Sequence, residues 1–251
     1  MNKVHWKKIF PRSITKKINM VLNFIEDSFN AKRTSSEIFS EIYKKGKWGK
    51  VSERPFCSGD GTINKHIISP YIDAINNYLS NLDYSPVVVD LGCGDMSIGR
   101  SFISVSGTYK GVDVVPDLIK WHKEQDYGTK VYFDCLDVSK DKLPDGDICL
   151  IRQVLQHLSN EQIGEILPKL DKYKVIFITE HQPSAVQDIV PNKDMITGSK
   201  TRIAYMSGVF VDKEPFGNLL LGRSIEKYLQ VPVNENTVGN DSDVIVTYKI
   251  E

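Results

Sequence analysis

The sequence predicts an α/β fold: a doubly wound, mostly parallel sheet that ends in an antiparallel hairpin and is preceded by a helical extension. Three observations lead there. From residue 86 onward, short continuous apolar runs alternate with helical segments, the pattern of a parallel sheet covered on both faces. The first run meets a glycine-rich turn, "VVVDLGCGDMSIG" at 87–99. The last two runs, "SIEKYLQVP" and "DVIVTYKI", have no clear helix between them, which suits an antiparallel pair closing the sheet.

Residues 1–45 read as helical. Lys3, Lys7, Lys8, Arg12, Lys16 and Lys17 precede any acid, and Ile18, Val21, Leu22 and Ile25 fall at i, i+3, i+4, i+7. That stripe is either a helix packed on the domain with a solvated basic side or a surface for a membrane or partner. Residues 46–62 carry four glycines and a proline and read as a loop. Residues 63–82 keep a helical period through Ile67, Ile68, Tyr71, Ile72, Ile75 and Leu79. Five strands follow: "PVVVDLG", "YKGVDVV", "KVYFDCLDV", "DICLIRQ" and "KVIFITE". Between them lie the helix "PDLIKWHKEQ", with Pro116 suited to a first helical turn, and the helix "NEQIGEILPKL". The chain divides into an extension with a closing loop, 1–84, and an α/β domain, 85–251, carrying an insertion at about 183–222.

Composition narrows the function classes. The 251 residues hold 32 Lys+Arg against 32 Asp+Glu, without the basic excess usual for a nucleic-acid-binding domain. Cys57, Cys93, Cys135 and Cys149 form no C-x-x-C pair and no zinc spacing with histidine. No metal site is expected, and four scattered thiols suit a reduced, cytoplasmic protein. No apolar run approaches the roughly 20 residues of a membrane span, and the basic N-terminus lacks the apolar core of a signal peptide.

In an open parallel sheet, ligands bind beyond the carboxyl ends of the strands. Those ends here are 90–94, 113–115, 137–138, 152–153 and 180–182, and four of the five contain an acid. Asp113 ends the second strand, where a carboxylate accepts hydrogen bonds from a ribose diol. Asp90 and Asp95 frame Gly92, Cys93 and Gly94, and the third glycine is displaced to position 99. Carboxylates there repel a pyrophosphate and attract a cationic group. This argues against a nicotinamide dinucleotide and for a positively charged, ribose-bearing cofactor.

These residues resemble the successive motifs of class I S-adenosylmethionine-dependent methyltransferases: "VVVDLGCGDMSIG", "YKGVDVV", "FDCLDV" and "DGDICLIRQVLQHLSNEQI", from about residue 86 to 182. The resemblance implies a seven-stranded Rossmann-like sheet with S-adenosylmethionine over its switch point. Asp90, Gly92, Cys93 and Gly94 would line the amino-acid end. Asp113 would hold the ribose, with Val114 beside the adenine and Asp137 and Val138 at its edge. Arg152 and Gln153 would lie under the methionine portion. Many members have a further glycine where this chain has Met96.

A narrower resemblance covers the flanks. "IYKKGKWG…CSGDGT" and "YMSGVFVDKEPFG" are similar to segments of small bacterial methyltransferases of capsule and lipopolysaccharide pathways. It implies that Trp48, Ser58 and Gly59 help close over the cofactor and that 183–222 shapes the acceptor pocket. Trp48 is equally readable as a packing anchor between loop and sheet.

Methyl transfer from a sulfonium is mainly a matter of positioning, and a hydroxyl acceptor gains from a general base. His157, one turn after the fourth strand, and His181, directly after the fifth, are the candidates, and a reaction without a base stays open. Glu180 and Tyr205 are weaker candidates, while His5, His66 and His122 lie away from strand ends and read as surface residues. The "N/D-P-P-Y" signature of amino-methylating nucleic-acid enzymes is absent after the fourth strand, where the chain has "RQVLQ".

The expectation is O-methylation of a small polar acceptor: a sugar, nucleotide-sugar or phosphate-type group destined for a surface polysaccharide. The alternatives are a protein or natural-product acceptor, and a non-catalytic partner of a glycan enzyme or membrane complex that uses the basic N-terminal helix.

Overall fold

The computed structural model describes residues 26–51, 54–184, 188–220, 222–234 and 243–251. The lysine-rich segment and the apolar stripe at Ile18–Ile25 lie outside them. Residues 26–30 are helical, and α1 follows at Ser35–Lys45. Thr34 and Glu37 form a capping box at its start, and Gly46 ends it in the left-handed conformation, so both ends of the helix find backbone partners. The next helix, α2, spans Lys65–Ser80 under an Asn64 cap.

Seven strands form one sheet: β1 Val87–Leu91, β2 Thr108–Asp113, β3 Val131–Cys135, β4 Ile148–Arg152, β5 Val175–Gln182, β6 Ile225–Pro232 and β7 Val244–Ile250. Their order is β3-β2-β1-β4-β5-β7-β6. The first five pair in parallel, while β7 runs antiparallel between β5 and β6. Strand order reverses between β1 and β4, so the crevice for a ligand opens at their carboxyl ends.

Side-chain alternation splits the core in two. Val89, Leu91, Cys149, Ile151, Ile176 and Ile178 face one layer, against Ile38, Phe39 and Ile42 of α1 and Ile163 and Ile166 of α4 (Asn160–Ile166). Val88, Ile148, Leu150, Val175 and Phe177 face the other, against Tyr71, Ile75 and Leu79 of α2. This two-sided burial is why β4 reads as an uninterrupted apolar run. The helix α3, Pro116–Lys123, packs Leu118 into the first layer and Ile119 into the second.

The elements depart from the sequence expectation first at 31–34, a turn that interrupts the expected N-terminal helix, and then within the α/β domain. The third strand stops at Cys135, because Asp137 turns the chain by accepting hydrogen bonds from the Ser139 amide and hydroxyl. The helical segment after β4 changes to a 3-10 helix at Leu167–Lys172, since Pro168 has no N–H to continue the α-helical ladder. Between β1 and β2, where the sequence reading names no element, lies a 3-10 helix at Gly99–Val105. Finally, β5 continues through His181 and Gln182, which pair with Ile245 and Val244 of β7.

No helix among the described residues is long and apolar enough to cross a membrane. Phe177 sits fully buried in β5, with Tyr78 and Tyr228 packed edge-on at 5.0 and 5.3 Å between ring centres. Phe177→Ala is expected to cost roughly 3–5 kcal/mol, read as a lower urea midpoint with an unchanged slope.

Candidate active site

A cleft opens over the switch point. Its wall contains Asp90, Gly92, Cys93 and Gly94 from the turn after β1, Asp113 and Val114 after β2, Leu136, Asp137 and Val138 after β3, and Arg152, Gln153, Val154 and His157 after β4. Tyr43, Trp48, Ser58, Thr62 and Tyr71 close it from the N-terminal side. Of the residues expected here, Gly59 does not reach the wall; its α-carbon lies behind Trp48, where an added Cβ would sit 3.6 Å from the Trp48 Cβ.

The turn after β1 is held by its backbone. The amides of Gly92 and Cys93 donate to the Val112 carbonyl at 2.7 and 2.9 Å, and Gly94 N–H donates to the Asp113 carboxylate at 3.1 Å. Gly92 has φ +82°, and an added Cβ would meet Val154 Cγ2 at 2.3 Å. Glycine is therefore required twice over, by conformation and by contact. Met96, in place of the further glycine of the family pattern, keeps a glycine-like φ of 60°. Its side chain is fully buried, with its sulfur 3.4 Å from the Tyr109 hydroxyl oxygen, so packing offsets the strain.

The carboxylates differ in their partners. Asp90 is buried and accepts from the Tyr109 hydroxyl; burial pushes its pKa up to about 6. Burial raises Asp113 to about 6 as well, against two backbone N–H donors, Gly94 and Val115. Asp95 accepts from the amides of Ser58 and Ser97, while its own N–H donates to the Ser58 hydroxyl. This reciprocal pair ties the 46–62 loop to the glycine turn. Ser58 also meets the Tyr43 hydroxyl at 3.0 Å.

Arg152 is the buried cation of the cleft. Its guanidinium lies over the Tyr71 ring at 5.1 Å, Nη1 donates to Gln153 Oε1 at 3.2 Å, and Nε and Nη2 are buried with no hydrogen-bond partner. An unsatisfied buried guanidinium is costly unless an anion meets it. Gln153 beside it has φ 54°, a strained conformation of the kind that gathers at functional sites.

The two histidine candidates separate. His157 lines the cleft, with its ring 5.0 Å from that of Trp48. Its Nδ1 is 3.0 Å from the Lys200 carbonyl. A carbonyl only accepts, so Nδ1 carries the proton and Nε2 the lone pair. Burial lowers its pKa to about 4. His181 lies on β5, outside the cleft wall, with Nε2 3.6 Å from the Asp243 carboxylate. Glu180 is not at the wall either. It is fully buried and accepts from the amides of Val154, Leu155 and Gln156, fixing the turn that presents His157.

The surface reading of His122 and His66 is corrected. His122 is fully buried between α3 and the glycine turn, because both ring nitrogens find partners there. His66 is half-buried, with Nε2 2.9 Å from the Pro232 carbonyl. The described part of the insertion, residues 183–184, 188–220 and 222, contributes nothing to the cleft wall. It braces the wall from behind: Trp48 Nε1 donates to the Ser199 carbonyl at 3.2 Å, next to the carbonyl that orients His157. Tyr205 is likewise away from the wall. Tyr71 escapes sequence reasoning because nothing near it in the chain marks a site, and Tyr43, although inside the segment "IYKKGKWG", is not singled out there because only helix packing shows that it reaches the cleft. Among the described residues no group of three or more His, Cys, Asp or Glu is placed to hold a metal ion.

Five parallel strands, a reversed final pair and a cleft over the β1–β4 switch point define the fold of class I S-adenosylmethionine-dependent methyltransferases. Among solved structures the chain is similar to the N-methyltransferase NodS of Bradyrhizobium japonicum WM9 in complex with S-adenosylhomocysteine, at 11% identity and TM-score 0.56, covering 84% of this chain and 97% of that one. It is similar to magnesium protoporphyrin IX methyltransferase of Synechocystis PCC 6803 with bound S-adenosylmethionine, at 14% identity and TM-score 0.53, covering 87% and 98%. A third is the 1,6-didemethyltoxoflavin-N1-methyltransferase of Burkholderia thailandensis, with bound 1,6-didemethyltoxoflavin and S-adenosylhomocysteine, at 17% identity and TM-score 0.51, covering 85% of each chain. No protein-family model matches the chain, and no curated protein matches it.

Gly92→Ala is expected to lose about 2 kcal/mol or more of stability. Gly92→Ala/Val154→Ala should recover part of that loss in urea unfolding, because the second change removes the clashing methyl. The depressed pKa of His157 adds a pH dependence. Between pH 6.5 and about 4 the unfolded chain binds a proton there that the folded chain does not, so stability present above pH 6.5 is lost as pH falls through that window. The stability difference between wild type and His157→Gln should shrink by roughly 3 kcal/mol from about pH 7 to about pH 3.5.

Proposed function

We propose that this protein is an S-adenosylmethionine-dependent methyltransferase. One observation carries the reading: a buried guanidinium with two unpartnered nitrogens, Arg152, shares a cleft over the switch point with four acids, Asp90, Asp95, Asp113 and Asp137. The donor set matches the cofactor's chemistry. Arg152 meets the amino-acid carboxylate, a charge-assisted contact that satisfies Nε and Nη2. Asp90 faces the ammonium. Asp113 takes the ribose hydroxyls on the lone pairs that its two backbone contacts leave over. Val114, Leu136 and Val138 enclose the adenine, with Asp137 at its edge. When bound, the cofactor supplies a methyl group on a sulfonium whose departure as a neutral thioether needs no acid.

The protein's own part is to align the acceptor and to receive its proton. His157 is the better placed candidate base: it is at the wall, neutral by burial, and held in the tautomer that leaves Nε2 unprotonated. Gln156 Nε2 stands 3.4 Å from that nitrogen, so the base works if this amide yields to an acceptor O–H or N–H. Trp48, tied to Ser199, forms a rigid aromatic wall beside it. The acceptor is proposed to be a small polar one, a sugar, nucleotide-sugar or phosphate-type group of a surface polysaccharide, methylated on oxygen. Support for that finer reading is the resemblance, in the sequence alone, of the 42–62 and 205–217 segments to methyltransferases of those pathways.

Calorimetry with S-adenosylhomocysteine tests the cofactor site. Wild type is expected to bind, and Asp113→Ala and Arg152→Met are each expected to bind at least about 10-fold more weakly, a loss of about 1.4 kcal/mol or more. A wild type that does not bind, or an Asp113→Ala variant that binds as well, overturns the reading.

A further inference from the structure

The glycine turn is gripped from outside the cleft by a chain of side chains that the chemistry above does not use. His122, on α3, is fully buried and stacks on Phe133 at 4.7 Å with the rings 15° from parallel. Its Nε2 lies 2.7 Å from the Gly94 carbonyl, and its Nδ1 2.8 Å from the Tyr127 hydroxyl. Arg100 donates Nη2–H to that hydroxyl at 3.2 Å and lies over the Tyr127 ring at 4.8 Å.

The proton positions follow from donor and acceptor chemistry. A carbonyl accepts only, so His122 Nε2 carries a hydrogen and donates it to Gly94. Burial lowers the His122 pKa, which favours the neutral ring, so Nδ1 is a lone pair. Tyr127 therefore donates to Nδ1 and accepts from Arg100. Every member of the chain Arg100–Tyr127–His122 has one compatible role, and the chain ends on a peptide of the cofactor turn.

Gly94 matters because it is held at both of its backbone polar groups, one in each of the two peptides that meet at its Cα. Its carbonyl is fixed by His122, and its N–H points at the Asp113 carboxylate, 3.1 Å away. Its φ of 54° and its contact with Ser58, whose hydroxyl would lie 2.5 Å from an added Cβ, leave the turn little room to shift. The orientation of Asp113 thus depends on a residue whose carbonyl, one Cα away from the N–H in question, is set by a histidine on a neighbouring helix.

We infer that His122 is a positioning residue for the cofactor: it fixes the carbonyl of Gly94, and through the backbone of that one residue it holds the Gly94 N–H that sets the Asp113 carboxylate against the ribose. This rests on the reading of the cleft as an S-adenosylmethionine site. His122 touches no reacting atom. Its effect falls on cofactor affinity, above all on the ribose-bearing part.

The test is calorimetry with S-adenosylhomocysteine and with 5′-methylthioadenosine, which keeps the ribose and adenine but lacks the amino-acid end. Thermal unfolding of each variant is measured beside it, and titrations are run well below the transition. His122→Phe keeps a ring to stack on Phe133 and removes the donor. It is expected to bind both ligands about 10-fold more weakly. His122→Gln places an N–H near the original Nε2 and should recover most of the affinity of both ligands. Tyr127→Phe removes the donor to Nδ1 and should give a smaller loss, about 2- to 5-fold. It covers the case in which His122→Phe does not fold.

A structural role alone would lower the unfolding temperature of His122→Phe and leave both affinities at the wild-type level, and that result overturns the inference. So does a His122→Gln variant that folds and binds no better than His122→Phe, or, where His122→Phe does not fold, a Tyr127→Phe variant that binds like wild type. A wild type that fails to bind S-adenosylhomocysteine counts against the cofactor site itself, so the two failures are distinct.

Discussion

The cleft depends on one constraint: the turn after β1 must bring backbone, not side chains, to the switch point. Gly92 lies against Val154 too closely for any Cβ, and its amide and that of Cys93 share the Val112 carbonyl. Gly94 is held by Asp113 at its N–H and by His122 at its carbonyl. Asp95 exchanges hydrogen bonds with Ser58 on the N-terminal loop. Strand β2, helix α3, the β4 turn and the 46–62 loop therefore all meet at one short segment, Gly92 to Asp95. Displacing any of them moves the floor of the cleft.

A second dependence runs through Glu180. A carboxylate with no exposed surface is expensive to bury. Three backbone amides, Val154, Leu155 and Gln156, offset that cost by giving it partners. The same contacts complete the amides at the start of the turn that carries His157. Glu180 supports the site from beneath it, although at the end of a strand it looks like a catalytic acid. Trp48 shows that two roles can coincide. Its ring is at the cleft wall, and its indole N–H anchors it to the Ser199 carbonyl.

Much of the site is legible in the sequence. Acids and glycines at the ends of parallel strands are placed by strand topology, and topology follows from apolar periodicity. Asp90, Gly92, Gly94, Asp113, Val114, Asp137, Val138, Arg152 and Gln153 all come to one cleft for that reason. Asp137 arrives there although β3 ends two residues earlier, because its own Asx turn carries the chain the remaining distance. His122 reads as a surface residue because it lies away from any strand end. Only the packing of α3 against β2 and β3 shows that its side is buried. The insertion reads as part of the acceptor pocket, whereas its described residues lie behind that wall.

What the sequence by itself determined is the sheet, its reversed final pair and the set of groups ringing its switch point. These follow from local patterns: short continuous apolar runs, strand-ending acids, and glycines where a Cβ has no room. What only the tertiary structure decided is the division of labour among chemically similar side chains. His157 faces the cleft while His181 pairs with Asp243, and Asp113 stays at the wall while Glu180 is enclosed. The physical reason is that a titratable group takes its role from burial and hydrogen-bond partners. Here those partners come from distant parts of the chain, as with His157 and the Lys200 carbonyl, 43 positions apart in sequence, and no local pattern records them.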